Sequence, residues 1–439
     1  MGLPMRTTAR SCDIRPVLAV MGMLGGVPAA PLPTLAQEVL RGHGGPVRAM
    51  AVRPDARELI SGSFDSTVIV WDLERSAARR VLRFHDGPVN AVAALDGGCI
   101  ASGGEDRRIA IWCGEGDRPA RVLEGHTGPI NALASSGPHL ASASFDGTVR
   151  LWEAAGEGAS SLALGHRTGI TALAAIRNQH GQTAATADGA LLMTKGGTPL
   201  QVQLTAPVSV LGVAADGEIV AASADGHIRL FAPTLHLSAE IEIERAPLAS
   251  LALSPDGKLI ATAGLRGGIA IVERASRRVA HRLTGPGLPV WSLAFDNDSR
   301  TLISGGADRL IRRWDAVTGK PLTSTLPDRD PVAEAVKSGE RGAQVFRACQ
   351  ACHTLTPDGG NRAGPTLAGI MGRRIGTAPG YVYSDALPRM DIVWTRETIA
   401  RLFEIGPNAF TPGTKMPEQT ITNPADRMAL VEWLERVTR

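Results

Sequence analysis

Ser61-Gly62-Ser63-Phe64-Asp65-Ser66-Thr67-Val68-Ile69-Val70-Trp71 decides how most of this chain is read. Small polar residues lead into a tight turn at Asp65. A β-branched strand follows, in which Val68 and Val70 alternate with Thr67 and Ile69. The pattern returns at a fixed period. Third strands end at Trp71, Trp112, Trp152, Met193, Phe231, Val272 and Trp314, in steps of 41, 40, 41, 38, 41 and 42 residues. Histidines at His43, His85, His126 and His166 are spaced by 42, 41 and 40 residues. An aspartate precedes most strand ends, at Asp65, Asp106, Asp146, Asp188, Asp225 and Asp308; Arg266 stands there in the sixth unit. Asp146-Gly147 and Asp225-Gly226 are turn formers, because both residue types tolerate positive φ. Seven units of one supersecondary pattern imply a repeat architecture.

The period and motif resemble the WD40 family, in which each repeat is one four-stranded propeller blade. The resemblance runs from about residue 37 to 326 and implies seven blades. It also implies a buried hydrogen-bonded set in each early blade: His43, Ser61, Asp65 and Trp71, then His85, Ser102, Asp106 and Trp112, then His126, Ser142, Asp146 and Trp152. Such a set must be satisfied internally, so these histidines are expected to be structural. Repeats four to six lose the tryptophan, and five and six also lose the Gly-His pair, so lower local stability is expected there. The ring must close to avoid an exposed edge. Glu38-Val39-Leu40-Arg41 or Pro321-Leu322-Thr323-Ser324-Thr325 would supply the last outer strand, the former being preferred. Cys99 and Cys113 each lie seven residues from Asp106 and would face each other across two strands. Two free, buried thiols are the favoured reading and a disulfide the alternative.

Beyond residue 326 the repeat ends. Asp330-Pro331 fits a helix start, within a linker and helix start at 327–338, and 332–348 read as helix. That helix leads into Cys349-Gln350-Ala351-Cys352-His353, a C-x-x-C-H run. The spacing reads as covalent haem c attachment, two thiols bonding the vinyl groups and the histidine serving as an axial iron ligand. A redox C-x-x-C or half a zinc site are the alternatives, but no second ligand pair follows His353.

From Gly339 to the end, the chain resembles class I cytochrome c of the mitochondrial or cytochrome c2 type. The motifs, in order, are Gly342-x-x-x-Phe346, Gly364-Pro365-x-Leu367, Gly369-Ile370-x-Gly372-Arg373, Ala378-Pro379-Gly380-Tyr381-x-Tyr383-Ser384-Asp385-Ala386, Trp394, and Pro412-Gly413-Thr414-Lys415-Met416. The resemblance implies thioethers at Cys349 and Cys352, and iron ligation by His353 and Met416. It implies further that the Pro365 carbonyl accepts from His353, that Arg373, Tyr383 and Trp394 hold a haem propionate, and that Gly342 and Phe346 pack on a last helix from Pro424 carrying Leu430 and Trp433. The chain departs from the family pattern where Leu402 or Phe403 stands in place of a tyrosine near the methionine, and Leu387 in place of an asparagine. Lys415 is nearly alone where the family has a lysine ring.

The first 36 residues carry Arg6, Arg10 and Arg15, an apolar stretch from Val17 to Ala30, and Thr34-Leu35-Ala36 as a cleavage site, so a signal peptide is expected at 1–36. The expected fold is an all-β seven-bladed WD40 propeller (37–326) followed by a small all-α class I cytochrome c domain (339–439). A net charge of +3 excludes a strong electrostatic case for nucleic acid or anionic membrane, and no membrane span is expected in the mature chain. The expected function is that of a periplasmic, single-electron carrier with one covalently bound haem c, its redox partner proteins docking on the propeller. A haem enzyme of peroxidase or nitrite-reductase type, and a redox-sensing interaction scaffold, are the rivals.

Overall fold

The computed structural model describes residues 39–54, 57–136, 139–153, 161–176, 181–195, 198–322 and 331–439. The expected signal peptide and the residues just before Pro331 lie outside them. Seven antiparallel sheets follow one another along the chain, spanning 47–83, 89–123, 130–165, 170–203, 208–242, 248–283 and 290–321. Each is a four-stranded meander apart from the last, and we number them blades 1 to 7. This is a seven-bladed β-propeller.

Each third strand carries buried residues, and Trp71, Trp112, Trp152, Met193, Phe231, Val272 and Trp314 are all buried in the seams. Those seams are the core: Ile60, Val68 and Leu82 of blade 1 pack with Val89, Ile100 and Trp112 of blade 2, so each sheet buries its faces against its neighbours.

Inside blades 1 to 3 the polar locks are complete. Trp71 Nε1–H donates to Ser61 Oγ at 2.7 Å, and Ser61 Oγ lies 2.7 Å from His43 Nε2. His43 Nδ1 is 3.1 Å from Asp65, which also receives the Thr67 hydroxyl at 2.6 Å. With Nδ1–H given to the carboxylate, Nε2 accepts from serine, and both ring nitrogens of His43, the Trp71 N–H and the Ser61 hydroxyl are all paired. The corresponding serine contacts are 3.0 and 2.9 Å in blade 2 and 2.8 and 2.7 Å in blade 3.

Blades 4 to 6 solve the same problem without the lock. In blade 4 the register puts Thr194, and not the expected Met193, at the tryptophan position, and in blade 5 Phe231 stands there; the central serine becomes buried Ala184 or Ala221, so the indole donor and its serine acceptor vanish together. In blade 5 Asp225 pairs with Arg229 at 2.6 Å and lies 3.6 Å from His227 of its own strand, in place of a loop histidine. Blade 6 exchanges the charges: Glu244 stands at the histidine position and Arg266 at the aspartate position. Burial raises the Glu244 pKa, and Arg266 opposes that rise.

The ring is closed by both termini of the propeller. Strand Val39–Leu40 pairs with Arg312 and Ile311, while Lys320–Pro321 pairs with Asp315 and Trp314. The N-terminal strand is therefore one of two short pieces lying along the same outer edge. Leu40 adds an apolar anchor between blades 7 and 1, packed with Leu59, Trp71, Ile303 and Ile311. Cys99 and Cys113 form a disulfide, correcting the expectation of two free buried thiols. Neither is fully buried: Cys99 is half-buried and Cys113 exposed.

The remaining chain is helical: α1 (Pro331–Lys337), α2 (Arg341–Phe346), α3 (Arg396–Ile405), α4 (Pro407–Phe410) and α5 (Pro424–Val437). The continuous helix expected over 332–348 is broken between α1 and α2, where Gly339 takes φ +83°. Gly342 lets α2 press onto α5, since a Cβ there would lie 2.3 Å from Ala429 O and Trp433 Cβ. Phe346 and Trp433 stack 5.2 Å apart in the centre of that crossing. Asn423 caps α5 by accepting from Ala425 N–H, with Pro424 in the first turn.

Candidate haem centre

The attachment run forms a short turn after α2. The backbone N–H groups of Cys352 and His353 both donate to Cys349 O, at 3.1 and 3.0 Å. Both thiols are free of disulfide pairing. Burial pushes Cys349 up to about 12 and Cys352 up to about 11, so both are protonated thiols at neutral pH.

His353 is held from two sides. Its Nδ1–H donates to Pro365 O at 2.8 Å, which leaves Nε2 as the ring's available lone pair. Burial lowers its pKa, favouring the neutral imidazole that can bind a metal. Gly364 lies against the ring: a Cβ there would sit 2.4 Å from His353 Cε1 and 2.7 Å from each ring nitrogen. Gly364 N–H is in turn fixed to Cys352 O at 2.8 Å, tying the glycine to the attachment turn.

Met416 follows a braced loop. Thr414 N–H donates to Thr411 O at 3.0 Å, and Met416 N–H to Thr414 Oγ1 at 3.1 Å. Ser384 Oγ–H reaches Gly413 O at 2.7 Å, joining the methionine loop to the segment carrying Tyr381 and Tyr383. The half-buried Met416 packs on the cluster containing Phe346, Leu355, Leu367, Leu402 and Phe403, to which Cys349 also belongs. Leu402 and Phe403 both face that core, and neither side chain can donate a hydrogen bond.

Of the expected propionate group, Arg373 donates to Ala368 O at 2.9 Å and Thr366 O at 2.8 Å. Tyr383 is near enough to Arg373 to affect its charge, although burial, which lowers the Arg373 pKa, is the larger influence. Trp394 packs 6.5 Å from the Phe410 ring. Two thiols on one turn, a neutral imidazole with a bare flank, and a methionine on a braced loop suit covalently bound haem c. The donor set is right for iron held between nitrogen and sulfur.

Sequence reasoning missed the braces: Thr414 and Ser384 stand in quoted motifs without a role assigned to them, and Thr411 stands in none. It also missed that propeller residues reach this region. Gly44 lies so close that a Cβ on it would be 2.4 Å from Cys352 Sγ.

Residues 35–72, 77–113, 117–153 and 277–315 match the WD domain, G-beta repeat family, and residues 339–438 match the cytochrome c family. Over 101 residues, 23% of this chain, the protein is 39% identical to a cytochrome c of Cochliobolus lunatus, covering 93% of it. It is equally similar, at 39% over 101 residues and 23% of this chain, to a cytochrome c of Arabidopsis thaliana, covering 89% of that protein. A cytochrome c2 of Rhodomicrobium vannielii is 35% identical over 104 residues, 23% of this chain and 82% of that protein.

Proposed function

Since the chain belongs to the cytochrome c family and carries WD40 repeats, we propose that it is an exported electron carrier whose propeller serves as a docking platform. The haem supplies a metal that changes oxidation state by one electron. Cys349 and Cys352 would anchor it, His353 and Met416 would ligate its iron, and Pro365 orients the imidazole. With iron held by those two side chains, substrate would have no place on the metal, which favours electron transfer over catalysis.

The observation that carries this reading is the pairing of a pinned His353 with a Met416 loop braced through Thr414 and Ser384. Purified holoprotein is expected to be low-spin and to resist azide and carbon monoxide, whereas Met416→Ala should bind both. A native protein that is high-spin, or that binds either ligand readily, would refute the closed site. Among the described residues no helix is long and apolar enough to cross a membrane.

Export to the periplasm is supported by the basic and apolar leader and by the Cys99–Cys113 disulfide, which belongs to oxidising surroundings. A mature N-terminus near Gln37 in the periplasmic fraction is the expected result. A full-length cytoplasmic chain would contradict it. Partner proteins are expected to dock on the propeller's rigid face, and redox-dependent cross-linking to a periplasmic protein would identify them.

A further inference from the structure

The propeller does more than stand beside the haem domain; it grips it next to the attachment cysteines. Ala363 N–H donates to Gly42 O at 2.8 Å, a backbone bond between the first blade's leading loop and the haem domain. Arg83, at the end of the outer strand of blade 1, sends Nη2–H to Arg362 O at 2.8 Å and Ala363 O at 2.5 Å. The same guanidinium lies 4.0 Å above the Tyr381 ring, and Tyr381 Oη–H donates to Ala363 O at 2.8 Å. Lys415, the neighbour of Met416, reaches His85 O at 3.2 Å and Asp86 at 3.3 Å. Gly44 completes the seat, its missing side chain making room for Cys352 Sγ.

A thioether sulfur marks the rim of the macrocycle it holds, and Lys415 adjoins Met416, which would ligate the iron from the other side. The rim of the first two blades would therefore cover the edge of a haem bound at Cys352. The contact is polar and local. Among the described residues its one ion pair is half-exposed on the Lys415 side and open on the Asp86 side, hence weak, and burial of Arg83 costs desolvation. Contacts of this size between domains open and close rather than lock.

We propose that Gly42, Gly44, Arg83 and Asp86 form a latch for the chain's own haem domain, shielding the haem edge at Cys352 until the latch opens. Electron exchange through that edge then requires the haem domain to leave its seat. The shielding rests on the electron-carrier reading; the latch itself does not.

Gly44→Val separates the two. Its backbone is outside the left-handed region, and within blade 1 the nearest atom to a Cβ is Asp65 Oδ2 at 3.8 Å, so the propeller tolerates it while the haem domain is wedged off. In full-length holoprotein, hydrogen exchange at Ala363 N–H should accelerate by about tenfold or more. Gly364 N–H, bonded within the haem domain to Cys352 O, should keep its protection as an internal control. Oxidation of the reduced protein by hexacyanoferrate(III) should quicken several-fold. Arg83→Leu provides a second opening: it removes a positive charge that attracts this anion, so any gain in rate reports exposure and not attraction.

An Ala363 amide already unprotected in the native protein, or unchanged in both variants, overturns the latch. An amide released without any gain in oxidation rate overturns the shielding. If native and variant proteins alike fail to exchange electrons while Ala363 is released, the electron-carrier reading falls and the latch stands.

Discussion

Replacing Gly364 by alanine tests how tightly the imidazole is held. The new methyl carbon would lie 2.4 Å from His353 Cε1, whereas carbon atoms in good contact sit about 3.5–4.0 Å apart. The ring or the Gly364 backbone must therefore yield by roughly 1 Å. The ring cannot turn freely, because Nδ1–H is held by Pro365 O at 2.8 Å. The backbone cannot retreat freely, because Gly364 N–H is held by Cys352 O at 2.8 Å. Gly364 is not in the left-handed region, so alanine adds volume without dihedral strain. Overpacking of this kind costs about 1–3 kcal/mol. For a domain of about 100 residues that lowers the thermal midpoint by roughly 5–20 °C. Thermal unfolding followed at the haem Soret band reads the haem domain alone, and the same sample reports whether the iron stays low-spin. Gly116→Ala, with nothing within 4 Å of its Cβ, controls for an added methyl group. An unchanged midpoint with an unchanged spectrum would show that the imidazole is free to move, and the reasoning from Gly364 would fail.

The blade locks predict acid sensitivity. Burial alone would raise Asp65, but the His43 charge and the hydrogen bonds from His43 and Thr67 outweigh it and hold it at about 2, against an ordinary 3.8. Asp146 is likewise held at about 2 by hydrogen bonds, those from Thr148 and Thr127 foremost, that outweigh its burial. The unfolded chain binds more protons across that window, so the contribution of these two aspartates should be intact above about pH 4 and fall as pH drops towards 2. His126, lowered by burial, adds a loss that starts as pH falls below its ordinary 6.5; urea midpoints across this range that do not move would contradict both. Cys99→Ser with Cys113→Ser opens a link of sequence separation 14, and should destabilise blade 2 by about 3 kcal/mol on the loop-entropy account. Denatured, unreduced holoprotein that still shows two free thiols from this pair would disprove the bond. In blades 4 to 6 the loops lack the histidine tie to the strands, so their amides should exchange faster than those of blades 1 to 3; equal protection throughout would rule this out.

What the sequence determined by itself was everything encoded locally. A 38- to 42-residue step carries one blade's strands, turns and lock, because the residues of a blade are near neighbours in the chain. C-x-x-C-H, Gly-Pro and Pro-Gly-Thr-Lys-Met are likewise short runs whose spacing is their chemistry. The break at Gly339 was legible as a glycine but not as a break, since a helical pattern continued on either side of it. What only the tertiary structure decided were the contacts between distant segments. Closure of the ring sets residues 39 and 40 against residues 311 and 312, and completes the edge from the other side with residues 320 and 321. Pairing of Cys99 with Cys113 depended on where two strand ends came to rest. Arg83 meets Arg362 across 279 residues, and Lys415 meets His85 across 330. His85 and Lys415 stand in a repeat and a motif, but neither marks these contacts, because the selecting force is the shape of a surface that exists only once both domains are folded.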